Sequence, residues 1–213
     1  MAELPEGRAV AYAGDVRDAE ALARAAADFI TRFGAPDVVI ANAGISRGTL
    51  TEHAEDASAF EEVIDINVLG MVHTFAPFIA PMRAARRGAL AGISSVAGFR
   101  GLPGAGAYSA SKAAAITYLE SLRLELSGSG VAVVTICPGY IATPMTAGNP
   151  YPMPFLMPAD RAAGKIARAI ARRRRFYVLP WPMAVVGRVL RILPRPLYDL
   201  VFAHAPRKPR RPV

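Results

Sequence analysis

The sequence predicts an α/β domain in which helices cover a parallel β-sheet. The main observation is that strand-like apolar runs alternate with helix-like runs along the chain. A length of 213 residues is enough for one such domain with a substantial core. With 53% hydrophobic and 20% charged residues, the composition is typical of globular proteins and excludes a disordered chain.

Each element follows from its local pattern. The alanine-rich residues 17–34 favour a helix that ends at Gly34, because alanine has the highest helix propensity and glycine commonly ends helices. The apolar run DVVIANAG predicts a buried strand that leads into a turn, and residues 60–85 predict a long helix that bends near Pro77. In chain order, the expected strands are 9–16, 37–44, 88–95, 131–139 and 175–180, and the expected helices are 17–34, 60–85, 107–127 and 158–173.

Residues 145–158, MTAGNPYPMPFLMP, fit none of these patterns. They are too irregular for a helix or strand and too apolar for a plain solvent loop. Two interpretations stay open, a lid over an apolar ligand or a connection packed on the surface.

The C-terminal part of the chain differs from the rest in charge. Residues 1–158 carry a net charge of −4, whereas residues 159–213 carry +12, which suggests an anionic partner for the tail. We therefore divide the chain into a domain, 1–181, and a basic amphipathic extension, 182–213.

Within the extension, arginines at 188, 191 and 195 interrupt an aliphatic run, so we do not expect it to span a bilayer. Their spacing suits an interfacial helix with aliphatic residues towards lipid, or a helix packed on the domain with its arginines in water. Residues 206–213, PRKPRRPV, are expected to be a solvated end, and no aromatic residues are interleaved there to indicate a specific nucleic-acid site.

Two further features concern location and thiol chemistry. The first residues, MAELPEGR, lack the apolar core of a secretory signal, so we expect a cytoplasmic protein, either free or peripheral to a membrane. The only cysteine, Cys137, lies in an apolar run and is expected to be a buried structural residue rather than a catalytic thiol.

Three polar residues form the strongest candidate for chemistry. Lys112 follows Tyr108 by four positions, so a helix places both on one face, where an ammonium favours the phenolate and lowers the tyrosine pKa from about 10. Such a tyrosine can give a proton to a carbonyl oxygen or take one from an alcohol. Ser95 ends a predicted parallel strand, where α/β sheets hold ligands, and can polarise the same oxygen. Taken alone, a Tyr-x-x-x-Lys pair is more often a surface pair.

A glycine-rich link joins Ser95 to Tyr108. Its sequence GAGAYS begins as a phosphate-binding loop does, but the third glycine of G-x-G-x-x-G is absent, so we reject that interpretation.

Six motifs in order resemble the short-chain dehydrogenase/reductase family. They are GDV at 14–16, NAG at 42–44, IDINVLG at 64–70, ISS at 93–95, YSASK at 108–112 and PGYIATPM at 138–145. The resemblance covers about residues 8–181. It implies a Rossmann-like, doubly wound parallel sheet and an NAD- or NADP-dependent oxidoreductase.

The resemblance also implies catalytic roles. Tyr108 is the general acid/base, and Lys112 lowers its pKa and holds the nicotinamide ribose hydroxyls. Ser95 orients the substrate oxygen, and Asn67 keeps a water in the proton relay that reaches Lys112. The alternative for Asn67 is an ordinary buried helix asparagine.

The implied cofactor-binding residues come from three segments. Asp15 and the Val16 backbone N–H hold adenine, although Asp15 could instead cap the following helix. The adenosine ribose is lined by Asn42, Ala43 and Gly44. The nicotinamide pocket is shaped by Pro138, Gly139, Ile141 and Thr143, although Thr143 and Pro144 could form only a turn.

One family feature does not occur in the sequence. The family begins with a strand, a T-G-x-x-x-G-x-G loop, a helix and a second strand, whereas this match begins just before the third strand. We therefore expect a domain without the first two strands and first helix, which exposes an edge of the family's fourth strand. A start upstream of Met1 and a truncated pseudoenzyme are the two explanations, and the complete set of catalytic residues favours the first.

The expected function is hydride transfer between a nicotinamide cofactor and a carbonyl or secondary alcohol, on a substrate that residues 145–158 suggest is lipophilic. The family implies a homodimer or homotetramer. A non-catalytic protein that binds a membrane surface through 183–213, or a partner, on a truncated scaffold is the alternative. A sugar-nucleotide epimerase or dehydratase shares Tyr-x-x-x-Lys, but NAG and the short C-terminal region argue against it.

We predict that the 213-residue chain binds dinucleotides weakly, because a glycine loop that lets the backbone approach the pyrophosphate is not in its sequence. Titration of the purified chain with NADPH and NADH measures this affinity, and a micromolar dissociation constant for either would contradict the prediction.

Overall fold

A four-stranded parallel sheet lies at the centre of the computed structural model, which describes residues 9–210. Its strands are β1 (Val38–Ala41), β2 (Ala89–Ile93), β3 (Ala132–Pro138) and β6 (Phe176–Leu179), side by side in that order. Two shorter strands, β4 (Ile141–Ala142) and β5 (Met157–Pro158), pair separately. The parallel pairing of these four strands confirms the parallel sheet that the resemblance implies.

Helices form at the four predicted stretches with shifts of a few residues, and further helices follow β4 and β6. They are α1 (Ala19–Phe33), α2 (Asp56–Ile64), α3 (Gly70–Ala84), α4 (Gly106–Glu125), α5 (Pro144–Ala147), α6 (Ala159–Ala171), α7 (Trp181–Ile192) and α8 (Arg195–Phe202). The predicted end of the first helix is confirmed, since Gly34 is its C-cap with φ of 77°.

Apolar clusters lie on both faces of the sheet. Leu90 of β2 packs with residues of α3 and α4, such as Phe75 and Leu119, on one face. Its neighbour Ala91 packs with α6 residues, including Ile170, on the other. Successive strand residues point to opposite faces, and a parallel sheet covered on both sides is the doubly wound arrangement that the sequence predicts.

The predicted strand at 9–16 is wrong, because these residues have no regular structure and are largely exposed. A strand needs neighbours for its backbone hydrogen bonds, and no strand among residues 9–210 lies beside them. β1 is the edge of the described sheet, and its outward side chains Val38 and Ile40 are 43% and 48% exposed. The predicted exposed edge is therefore present.

The long helix predicted at 60–85 begins earlier and is interrupted. A π-helical turn at Asp65–Leu69 separates α2 from α3, and π turns of this kind frequently occur at functional sites. By length and composition, Asp56–Ala84 is the one run among the described residues that could cross a membrane. Val63, Phe75 and Met82 of this run are fully buried, as in the core helix of a domain.

Residues 145–158 contain more structure than the sequence predicts. They hold most of the short helix α5, and Met157–Pro158 pairs with Ile141–Ala142. α7 and α8 then fold back onto the domain, whereas the boundary proposed between 181 and 182 stays a prediction. The N-terminal residues 1–8 lie outside the described range.

We predict that Leu119→Ala lowers the free energy of unfolding by about 2–5 kcal/mol, because Leu119 is fully buried between α4 and the sheet. Leu200→Ala is the matched control. Leu200 is 77% exposed, so its truncation should change stability by only about 0.5 kcal/mol. Urea unfolding followed by circular dichroism measures both, and equal losses would contradict the assigned core.

Candidate active site

Most of the predicted site residues lie at one end of the sheet, beside the carboxyl ends of the neighbouring strands β1, β2 and β3. Ser95 lies two residues beyond β2, and Pro138 ends β3. The Ser95 hydroxyl donates to the Pro138 carbonyl oxygen at 3.3 Å and accepts from the Ala97 N–H at 3.1 Å. Ser95 thereby caps the short 3₁₀ turn Val96–Gly98, and its orientation is fixed by the backbone on both sides.

Tyr108 and Lys112 occupy the first turns of α4 and meet Ser95 there. The Lys112 ammonium lies 5.7 Å from the centre of the Tyr108 ring and donates to the Ile93 carbonyl oxygen at 2.9 Å. The Tyr108 phenol lies close enough to Ser95 for the serine to affect its pKa. The structure therefore brings the three predicted side chains into one group.

The electrostatics of this group differ from the sequence-based expectation. Burial raises the pKa of Tyr108 above its ordinary value, while the hydrogen bond with Ser95 acts in the opposite direction. Burial also lowers the pKa of Lys112 to about 8. The expectation of a lowered Tyr108 pKa is wrong for the protein without cofactor, because desolvation outweighs the hydrogen bond.

Asn67 lies in the π-helical turn and is almost completely buried. Its Oδ1 accepts from the Ile45 N–H at 2.8 Å, and its Nδ2 donates to the Ile45 carbonyl oxygen at 3.0 Å and to Ser111 Oγ at 2.9 Å. The side chain thus ties the loop after β1 to α4. Its role in a water relay stays a prediction.

Two buried serines belong to the site, although sequence reasoning missed them. Ser111 donates to the Tyr108 carbonyl oxygen at 2.8 Å while accepting from Asn67, and Ser94 donates to the Lys112 carbonyl oxygen at 2.7 Å. Ser111 follows Tyr108 by three helical positions, which is the spacing for a bond to that carbonyl. Ser94 carries no such local signal, because its partner is 18 residues away.

Asp15 and Val16 belong to the turn that precedes α1, and this turn packs against the start of α3. The Asp15 carboxylate is bound by Arg17, with the shortest contact at 2.6 Å, and these hydrogen bonds lower its pKa to about 2. Val16 contacts Gly70, and its carbonyl oxygen lies 3.1 Å from His73 Nδ1. The alternative of Asp15 as helix cap is wrong, because Asp18 caps α1.

The backbone after β1 leaves space that a cofactor could use. Asn42 and Ala43 are exposed, and Gly44 lies beside Asn67 and Lys112. A Cβ at Gly44 would be 3.1 Å from Asn67 Oδ1 and 3.4 Å from Lys112 Nζ, so only glycine leaves this approach open. The residues present thus fit the ribose and nicotinamide end of a dinucleotide, whereas a T-G-x-x-x-G-x-G loop for its pyrophosphate is not in the sequence.

The segment after β3 is held by β5 and by the end of β6. Gly139 donates to the Leu179 carbonyl oxygen at 2.7 Å, and Ile141 pairs with Met157. Thr143 is the N-cap of α5, and its N–H donates to Thr146 Oγ1 at 3.1 Å. Thr143 therefore begins a helix, and its role at nicotinamide stays a prediction.

Residues 206–210, here called the C-terminal strap, lie across the loops after β1 and β2. Arg210 pairs with Glu55 at 2.7 Å and with Asp56 at 2.8 Å. Because the Arg210 guanidinium forms ion pairs with two carboxylates, the prediction of a solvated end is wrong for 206–210. Residues 211–213 lie outside the described range.

The strap also reaches Tyr108. Lys208 Nζ lies 2.6 Å from Ser46 Oγ and 5.9 Å from the centre of the Tyr108 ring. A Cβ at Gly104 would lie 2.8 Å from the Lys208 backbone nitrogen, so the glycine-rich link permits this close contact. The link has a packing function that the sequence did not indicate.

Other chemistry-bearing residues are not assembled into a site. Cys137 is buried, and burial raises its pKa to about 12, which agrees with a structural thiol. His73 contacts the Val16 backbone, and His204 is exposed. Within residues 9–210, no group of three or more His, Cys, Asp or Glu side chains could hold a metal ion.

Comparison with known proteins gives consistent matches. The sequence model described as short chain dehydrogenase matches residues 1–151. An uncharacterized oxidoreductase from Myxococcus xanthus is 43% identical over 166 residues, which are 78% of this chain and 65% of the relative. The chain thus spans just under two thirds of that protein's length.

Two further matches extend over more of the chain. A cis-4-hydroxycyclohexanecarboxylate dehydrogenase from Sinomonas cyclohexanicum is 32% identical, over 87% of this chain and 75% of the relative. The crystal structure of a short chain dehydrogenase from Burkholderia cenocepacia in complex with NADP superposes with a TM-score of 0.80 at 25% identity, over 92% of this chain and 82% of that one.

We predict that the Lys112 ammonium makes stability rise with pH between about 8 and 10.5. Its pKa is about 8 in the folded protein against 10.5 for the ordinary side chain, so the unfolded chain binds more protons in this window. Across this pH range, Lys112 should raise the free energy of unfolding by about 3 kcal/mol. Urea unfolding across this range should show a flatter profile for Lys112→Met and the unmodified slope for Lys165→Met. A Lys112→Met slope equal to that of the unmodified chain would contradict the prediction.

Proposed function

This chain belongs to the short-chain dehydrogenase/reductase family of oxidoreductases, and we propose that it transfers a hydride between NAD or NADP and a carbonyl or secondary-alcohol substrate. The observation that carries the proposal is the convergence of Ser95, Tyr108 and Lys112 at the carboxyl ends of the strands. Open parallel sheets bind ligands at this edge.

The residues supply the proton chemistry of the reaction. When bound, the nicotinamide gives a hydride to the carbonyl carbon or accepts one from the alcohol carbon. In the reductive direction, Tyr108 donates its phenolic proton to the substrate oxygen, and Ser95 donates a hydrogen bond to the same oxygen as negative charge develops there. In the oxidative direction, Tyr108 takes the proton back.

Lys112 and Asn67 support this transfer in different ways. The Lys112 ammonium lies beside the Tyr108 ring and stabilises the phenolate left after donation. With a pKa of about 8, it is mostly charged at neutral pH and still exchanges its proton readily. Asn67 positions the loop after β1, which is where Gly44 approaches Lys112 Nζ.

The cofactor assignment rests on the fit of the residues and on the relatives. We assign Asn42 to Gly44 and Lys112 to the riboses, Pro138, Gly139, Ile141 and Thr143 to the nicotinamide pocket, and Asp15 and Val16 to adenine. The Burkholderia structure contains NADP, which supports this class of cofactor.

A lipophilic alcohol or ketone is the proposed substrate. Met145, Phe155 and Leu156 are exposed in the segment that follows the residues assigned to the nicotinamide pocket, and they offer apolar contacts to such a substrate. The Sinomonas relative is named for a secondary-alcohol substrate, which supports the alcohol class.

We further propose that the protein is a homodimer or homotetramer through α4 and the preceding helix, and that it acts in the cytoplasm. Two exposed apolar residues support such an interface, Leu69 at the end of the π-helical turn that leads into α3 and Leu124 in α4. The non-catalytic alternative is not favoured, because a protein that only binds a partner has no need of the ordered group around Tyr108.

We predict that Tyr108→Phe lowers kcat/KM by about 10²–10⁴-fold, because the ring is kept but the transferable proton is lost. Tyr118→Phe, on the same helix and away from Ser95, is the control and should leave turnover unchanged. Absorbance of NADH or NADPH at millimolar concentration, with a panel of apolar ketones, measures the rates. Two results would contradict the proposed function. One is unchanged turnover in Tyr108→Phe, and the other is the absence of turnover by the unmodified chain with both cofactors.

A further inference from the structure

The last two helices present an apolar face that no other residue of the described chain covers. In α7, Trp181, Val185, Val189 and Ile192 recur every three or four residues, so they form one stripe along the helix. Trp181 is 77% and Ile192 is 79% exposed. In α8, the exposed large apolar residues are Leu197, Leu200 and Val201.

Packing on the opposite side of α7 fixes this orientation. Met183 and Gly187 are buried, and a Cβ at Gly187 would lie 2.2 Å from the Phe99 ring. Met183 Cγ would lie 2.8 Å from a Cβ at Gly139. Because α7 packs this closely, its apolar stripe cannot rotate towards the core unless the contacts with Phe99 and Gly139 are lost.

The exposed face is bordered by positive charge. Arg188, Arg191 and Arg195 are exposed, and Asp199 is the only acidic residue in α7 and α8. Among the ion pairs formed within residues 9–210, none involves these three arginines. The guanidinium groups are therefore available to anions outside the protein.

The apolar surface continues past the start of α7 to residues 155–158. An open groove of about 350 Å³ lies between Trp181 and residues Phe155 and Leu156, with Arg161 and Lys165 also in its wall. The surface thus combines an exposed indole, aliphatic side chains and flanking cations over a continuous area.

We propose that α7 and α8 form a docking surface for an anionic lipid bilayer and lie in the plane of its interface. Aromatic and aliphatic side chains enter the headgroup boundary, and arginines contact the anionic headgroups. α7 has 12 residues, or about 18 Å, which is shorter than the hydrocarbon core of about 30 Å, so it lies on the membrane.

Charge favours a bilayer over a second copy of the chain. A two-fold interface would place each copy's arginines against the same patch of the other, and like charges across an interface disfavour association. An anionic surface neutralises all of them. The proposal goes beyond the proposed reaction and does not depend on it.

The single tryptophan of the chain, Trp181, provides a direct probe. We expect a blue shift of its fluorescence, and flotation of the full 213-residue chain, with phosphatidylcholine vesicles that contain phosphatidylglycerol. Partitioning should be about tenfold or more weaker on phosphatidylcholine alone, since each basic side chain contributes about fivefold near an anionic surface.

A matched pair of variants separates insertion from simple charge attraction. Ile192→Glu places a carboxylate in the stripe and should lower partitioning at least about tenfold. Phe33→Glu makes the same charge change on an exposed aromatic residue of α1 and should lower it far less. Circular dichroism confirms that both variants are folded.

Three outcomes would overturn the proposal. The first is the absence of a Trp181 shift and of flotation with anionic vesicles. The second is an equal loss of partitioning in Ile192→Glu and Phe33→Glu. The third is a lipid-independent dimer, seen by light scattering, that Ile192→Glu dissociates, because the occupant of the face would then be a second copy. All readouts are independent of turnover.

Discussion

The burial of the Lys112 ammonium is the constraint on which the site depends. A charge removed from water must be hydrogen-bonded, and here the partner is the Ile93 carbonyl oxygen at the end of β2. Ser94 bonds the backbone of the same lysine, so side chain and main chain of Lys112 both attach α4 to this strand. Tyr108, one turn earlier, is thereby directed at Ser95.

A second network, made of hydrogen bonds around Asn67, attaches the loop after β1 to α4. Asn67 satisfies both backbone groups of Ile45 and also contacts Ser111, which in turn bonds the Tyr108 carbonyl. The π-helical turn brings the asparagine inward at the point where the helix passes the loop after β1. Two buried residues from distant parts of the chain thus hold Gly44 next to the lysine, and the hydrogen bonds leave each polar group satisfied.

The C-terminal part of the chain faces two ways. The strap is attached to the start of α2 by the ion pairs of Arg210 and lies near Tyr108 at Lys208, whereas α7 and α8 expose their aliphatic residues. Basic residues of the C-terminal part therefore differ in their contacts. Arg210 forms ion pairs with carboxylates of the domain, whereas the arginines of α7 and α8 form none among the described residues and stay exposed at the surface.

Local patterns determined most of this protein by themselves. Alternating apolar runs predicted the sheet and the helices that cover it, and the four-residue spacing of Tyr108 and Lys112 predicted that both lie on one helix face, because both patterns follow the periodicity of strands and helices. Tertiary structure decided the rest. Residues 9–16 have strand propensity but no pairing partner among residues 9–210. Ser94 and the strap depend on contacts between distant segments, and the Tyr108 pKa follows the balance of burial against one hydrogen bond. Pairing, long-range contact and desolvation are properties of the folded arrangement, and no short stretch of sequence contains them.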